Sequence, residues 1–234
     1  MIENMELNGN SLTQTLSAYE VWRLALTRPN EEIYQRISND PRASLGRALG
    51  WITMSTSIAY TISALAQLLL LQLFPLTSFL EGAEDVISGR ILSSMSTTFI
   101  LACGLPFSVL VSIFGIFIFA GLIHFIAGAL GGIGSFDRLV YVLAAISVPG
   151  SILSALLGLI PLVNCLTLPL TLYILLLNIL AIKVVYGLSW GAAMGTIMVM
   201  VLLITLVAVV IVLALWGPLQ DFLRSPEFLP SELF

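Results

Sequence analysis

The stretch Gly121–Pro149, GLIHFIAGALGGIGSFDRLVYVLAAISVP, decides the fold. It joins the end of one apolar segment to the first half of another through a glycine-rich elbow. Asp137 and Arg138 in that elbow are the only charges between Arg90 and Lys183. His124, the sole histidine, stands three, four or seven residues from Ala120, Gly121, Gly128 and Gly131, so the five share one helical face. A face of small residues admits a neighbouring helix closely. Gly131, Gly132 and Gly134 then break the helix, and Asp137–Arg138 return the chain to water. The pattern predicts a tight cytoplasmic hairpin between two membrane helices.

Working outward, the class follows from composition. Hydrophobic residues make up 59% of the 234 and charged residues only 9%, against roughly 25% charged in a soluble domain. Mean hydropathy is +1.05. No Asp, Glu, Lys or Arg occurs in Ala48–Leu80, Ile91–Phe136, Leu139–Ile182 or Val184–Gln220. A membrane span takes about 20 such residues, so each block holds at least one.

The expected fold is all-α: a polytopic integral membrane bundle of five helices with a cytoplasmic N-terminus. The spans are Ala48–Phe74, Phe107–Leu130 (entered through Pro106 as a helix start), Leu139–Leu157 (bent at Pro149), Leu162–Ile182 and Trp190–Trp216. A re-entrant piece within Leu139–Ile182 would leave four. With the N-terminus inside, seven of the nine basic residues lie on the inner side, and only Arg90 and Arg224 lie outside.

The flanks divide the chain into 1–46, a cytoplasmic segment with short amphipathic interfacial helices, then the membrane domain 47–217 and an acidic tail 218–234. Met1–Ser17 has no basic n-region and apolar core, which argues against a cleaved signal peptide. Two short amphipathic pieces follow, the second capped by Asn30 with Glu31 and Glu32 in its first turn. Two placements fit them equally: on the bilayer surface with Trp22 and Tyr34 at headgroup depth, or packed on the loops of the bundle. Ser78–Glu81 has capping-box spacing before Glu84 and Asp85, which predicts a further short helix. Cys103 and Cys165 read as buried small hydrophobes.

Thr53, Thr56, Ser57, Tyr60, Ser63 and Gln67 form a polar stripe on the first span, and Asn178 is a lone amide in the fourth. Both should face other helices, since lipid offers them no partners. Gly191 and Gly195 carry the small-xxx-small spacing of helix packing. A neutral His124 bonding a backbone carbonyl or a Ser/Thr across an interface outweighs a proton switch there. Asp137 and Arg138 serve to cap and anchor the hairpin.

Chemistry is hard to place. The glycine cluster lacks the strand and the Lys-Ser/Thr of a nucleotide loop. Glu31-Glu32-Ile-Tyr-Gln-Arg36 matches the letters of an intramembrane protease motif, but that chemistry needs more histidines than one. Ser135 with His124 fails as a catalytic pair because the serine sits in a cytosolic elbow. Metal and nucleic-acid sites lack ligands and a basic patch.

Several short motifs, in order, resemble the Yip family. These are Leu26-Thr-Arg-Pro29, Asp40-Pro41, Leu122-Ile-His124, Gly131-Gly132-Ile-Gly134-Ser135-Phe136, Ser147-Val-Pro149, Val184-Val-Tyr-Gly187-Leu-Ser189 and Ala192-Ala193. They run across most of Ala25–Trp216. Where many members place a histidine before the glycine near Gly187, this chain has Tyr186. The resemblance implies five spans, a cytoplasmic N-terminus, no catalysis, no cofactor and a prokaryotic-type protein of the cytoplasmic membrane. Members in eukaryotes are named for contact with Ypt/Rab GTPases. The cytoplasmic region used for that contact is only about 46 residues here, which argues against a GTPase partner. A membrane scaffold or adaptor, associating with lipid, other membrane proteins or itself, is the expected function. A small solute or proton-linked transporter is the alternative, resting on the polar stripe, His124 and Asn178.

Overall fold

The computed structural model describes residues 16–73, 97–159 and 166–223. All seven elements among them are helices: α1 Ala18–Thr27, α2 Glu31–Ser38, α3 Leu45–Leu73, α4 Thr97–Ala129, α5 Phe136–Gly158, α6 Thr167–Tyr186 and α7 Trp190–Leu223. The expected helix at Ser78–Glu81, Cys165, the Gly158–Pro161 turn beyond Leu159 and the tail from Arg224 lie outside the described residues.

Four helices are long and apolar enough to cross a membrane: Cys103–Ala129 in α4, Phe136–Gly158, Thr167–Tyr186 and Trp190–Gly217. Pro106 does not start a helix, as the sequence suggested, but lies inside α4, which begins at Thr97. Proline removes one backbone bond there, a defect that membrane helices tolerate by local adjustment. Pro149 is likewise interior to α5.

The core is α5. Leu139–Ile146, Val148 and Gly150 are buried, enclosed by α3, α6, α4, α1 and α2. The N-terminal pair packs along α5 and α6. Val21, Ala25, Tyr34 and Ile37 are fully buried, so Tyr34 is a core residue and not a headgroup anchor. An amphipathic face of this kind suits an interface of lipid or of protein equally, and only the partner helix decides between them.

Local signals fix the pair. Ser17 and Glu20 form a capping box at the head of α1, and these hydrogen bonds hold the exposed Glu20 carboxyl below the usual range. Asn30 caps α2 by accepting from the Glu32 amide at 3.3 Å. The Tyr34 hydroxyl then donates to the Ala25 carbonyl at 3.0 Å, tying α2 to α1.

Burial pushes the Tyr34 hydroxyl well above the ordinary phenol range, and the nearby Tyr173 adds to the shift. A raised value means that the docked state favours the neutral phenol. Docking is at full strength below the ordinary tyrosine value of about 10 and is lost as pH climbs from there through the raised value. Limited proteolysis of the α1–α2 turn should accordingly be slow at neutral pH and accelerate only above that window. In Tyr34→Phe that alkaline onset should move upward or vanish.

Candidate functional site

Three groupings of polar residues stand out, two of them near the end of the bundle where α4 stops, α5 starts, α6 stops and α7 starts. This is the basal end.

The first centres on Arg47, the third residue of α3. Asp40 precedes it in the α2–α3 connection, with its side chain entirely buried. The guanidinium Nη1 lies 3.5 Å from Asp40 Oδ2 and donates to the Tyr141 hydroxyl at 3.2 Å. Nη2 donates to the Leu16 carbonyl at 3.1 Å. Asp40 Oδ1 accepts from the Arg42 amide at 2.9 Å. The guanidinium also lies 4.8 Å from the Trp51 ring centre, and Trp51 in turn packs on Tyr141 and edge-on to Trp22. One arginine thus joins the chain before α1, the α2–α3 connection, α3 and α5. Nothing in the local sequence around Arg47 or Tyr141 signals this cluster. Its members are 94 and 101 positions apart.

The second is the elbow of the opening sequence. Gly131 adopts a left-handed φ of 87° after α4, and Gly187 one of 66° after α6. Both are helix ends that a glycine enters without steric cost. The two elbows lie against each other, with the Ile133 amide donating to the Tyr186 carbonyl at 3.1 Å. A Cβ on Gly132 would come within 2.8 Å of the Tyr186 Cβ, and one on Gly134 within 2.7 Å of its ring. Tyr186 closes the arrangement by placing its hydroxyl 2.6 Å from His124 Nδ1. His124 therefore pairs with a tyrosine, not with the carbonyl or Ser/Thr expected from sequence. Phe136 meets the imidazole edge-on at 5.9 Å.

The small-residue face works differently from its reading in sequence. A Cβ at Gly121, Gly128, Gly191 or Gly195 would meet nothing within 4 Å, so no helix approaches those positions in the single chain. Close approach occurs at Gly132 and Gly134. It also occurs at Gly104, which Tyr60 of the polar stripe covers. Asp137 and Arg138 are exposed in the first turn of α5, where Asp137 suits the helix dipole. Cys103 is a free, exposed thiol and not a buried hydrophobe.

The third is a partly open cavity of about 410 Å³ between α3, α4, α5 and α6. Ser55, Thr56, Ser112, Ser147 and Ser151 line it with Asn178, among apolar walls that include Ile116 and Phe119. The Asn178 Oδ1 is buried without a hydrogen-bond partner. An unmade bond of this kind costs about 1–3 kcal/mol. Asn178→Leu should consequently raise stability by ~1 kcal/mol, read as a higher unfolding midpoint in mild detergent. An unchanged or lower midpoint would mean that the amide oxygen is satisfied in the membrane. Among the described residues, no group of three or more His, Cys, Asp or Glu could hold a metal ion.

Long apolar helices joined by glycine elbows define the class: an integral, multi-pass, all-helical membrane protein. Within that class, the model of the Yip1 domain matches residues 23–212, and the chain belongs to this family. The family is generally non-catalytic and is linked to membrane trafficking. The match takes in Asp40, Arg47, His124, Tyr141 and Tyr186. Neither the curated proteins nor the solved structures provide a match to this chain.

Proposed function

We propose that the protein is a non-catalytic membrane scaffold or adaptor of the prokaryotic type in the cytoplasmic membrane. It would have its N-terminus inside, its C-terminus outside and no cofactor. The flanks 1–46 and 218–234 bracket the membrane domain 47–217, which the sequence reads as five passages.

The observation that carries this reading is how the charged residues are used. Arg47, bonded to Asp40 just after α2 and to the Leu16 carbonyl just before α1, and Lys183 with Glu31 tie the α1–α2 hairpin to the bundle. The outer face of that hairpin carries Tyr19, Glu20, Arg23, Arg28 and Glu32 into the surroundings. A fixed, polar, two-signed face at a membrane suits recognition of another membrane protein or a second copy better than it suits chemistry. His124, Asp137 and Arg138 would add to this surface at the neighbouring elbow, and open Gly121, Gly128, Gly191 and Gly195 would admit a partner helix.

A photo-crosslinking residue at Glu20 or Glu32 should form discrete adducts in intact membranes, and Arg23→Glu should weaken them without altering the unfolding midpoint. A smear with no discrete adduct at either position would remove the adaptor reading.

The cavity with its unpartnered Asn178 favours transport as the second reading. Proteoliposomes should then move a small polar solute or protons faster than empty vesicles, and Asn178→Leu should abolish the difference. Leak equal to that of empty vesicles would discard it.

A further inference from the structure

We infer that the cavity between α3, α4, α5 and α6 is a binding site for an uncharged glycerolipid with a free hydroxyl, of the diacylglycerol class. The inference rests on neither the adaptor nor the transport reading, since it requires binding and not movement of a solute. The volume of about 410 Å³ lies in the range of small-molecule sites. Ser147 of α5 and Asn178 of α6 line it near the middles of the candidate spans Phe136–Gly158 and Thr167–Tyr186. Gly115 lines it from α4, near the middle of Cys103–Ala129. The site therefore lies deep among the membrane helices, away from either headgroup layer.

The chemistry of the wall selects the ligand. Ser55 and Ser151 spend their hydrogens inside their own helices, donating to the Ile52 carbonyl at 3.1 Å and the Val148 carbonyl at 2.9 Å. Asn178 has an amide Oδ1 that is buried with no hydrogen-bond partner among the described residues. The terminal torsion of asparagine is soft, so a turn of the amide presents that oxygen to the cavity. Thr56, Ser112 and Ser147 add hydroxyls that can donate inward. Among the described residues, no Asp, Glu, Lys, Arg or His lines the space. A phosphate or ammonium headgroup would lie there with its charge uncompensated, which disfavours ordinary phospholipids. A diacylglycerol is neutral. Its one free hydroxyl can donate to Asn178, and its two ester carbonyls can accept from the threonine and serines.

The mouth of the cavity fixes the source of the ligand. Gly115 is exposed, and so are Val111, Phe114 and Ile118 on the same side of α4. A Cβ on Gly115 would meet nothing within 4 Å, so no neighbouring side chain closes the wall there. A ligand entering past Gly115 comes through acyl chains and not through water. An uncharged lipid reaches that depth readily, whereas free glycerol would have to abandon the hydration of three hydroxyls on the way. Inside, Ile116 and Phe119 offer apolar contact to the first methylenes of the acyl chains. The remainder of each chain leaves past Gly115 into the bilayer.

The test uses the full chain in phosphatidylcholine vesicles. The probe is a 1,2-diacylglycerol with a diazirine near the start of one acyl chain and an alkyne at its end. After irradiation, peptide mass spectrometry should place adducts on the cavity-lining stretches of α3, α4 and α5 around Thr56, Gly115 and Ser147. Added dioleoylglycerol should compete for these adducts, and neither additional dioleoylphosphatidylcholine nor free glycerol should do so. Asn178→Leu should reduce cavity labelling roughly three- to tenfold, the loss of one hydrogen bond. Gly115→Leu places its side chain in open space at the mouth and should reduce labelling about as much. Unchanged tryptophan fluorescence confirms the fold of each variant, and Gly115→Leu carries the test if Asn178→Leu disturbs it. Adducts spread along exposed α7 from Val201 to Trp216, with no enrichment at the cavity and no response to either variant, would report annular lipid only and overturn the proposal. Equal competition by dioleoylphosphatidylcholine would overturn the selection for an uncharged headgroup. Competition by free glycerol without competition by dioleoylglycerol would assign the cavity to a water-borne polyol, and would overturn the lipid source.

Discussion

Arg47→Ala is expected to lower the stability of the folded chain by ~3–5 kcal/mol, the range for a buried charge stripped of its partner. Asp40, with no exposed side-chain surface, would keep its carboxylate with only the Arg42 amide and the distant Tyr141 hydroxyl near it. The Leu16 carbonyl would lose its donor, and Trp51 the cation over its ring. Trp22 and Trp51 lie within the cluster, so intrinsic fluorescence in detergent should report both the lower midpoint and a wetter environment. The double change Arg47→Met with Asp40→Leu should recover much of the loss, because it removes both charges together. A single-variant loss below ~0.5 kcal/mol would mean that the N-terminal hairpin is held by apolar packing alone.

The second large effect lies in the elbow. Gly134→Ala would set a methyl 2.7 Å from the Tyr186 ring and 2.8 Å from the Val185 carbonyl oxygen. The backbone oxygen cannot swing aside, so overpacking should cost ~1–3 kcal/mol and separate His124 from Tyr186. The glycines of the helices supply the contrast. At Gly121 and Gly128 an added methyl meets nothing, and alanine should be neutral or stabilising by up to about 1 kcal/mol through helix propensity alone. If instead Gly121→Ala and Gly128→Ala are damaging in membranes but harmless in the detergent-solubilised single chain, a partner helix occupies that face. Unfolding midpoints in the two media distinguish these results.

The membrane class was legible in the sequence because bilayers impose a coarse rule: long runs without charge. The turns were legible too, since Gly131 and Gly187 occupy conformations that few other residues adopt. What sequence could not resolve was which surface each amphipathic or small-residue face meets. Val21, Ala25, Tyr34 and Ile37 would look the same facing lipid or facing α5. Tyr186 lies 62 positions from His124, and no local pattern joins them. The same limit applies to Arg47 and Asp40, whose contact with Tyr141 across 94 and 101 positions no local pattern signals.

The arrangement stands or falls on whether the charged N-terminal hairpin is fixed along α6. Lys183 is the sole lysine of the chain, which makes a zero-length carbodiimide crosslink in intact membranes nearly unambiguous. The expected product is an amide between Glu31 and Lys183, found by peptide mass spectrometry and absent in Glu31→Gln. Lys183 that reacts freely with an amine reagent yet forms no bond to Glu31 would contradict it.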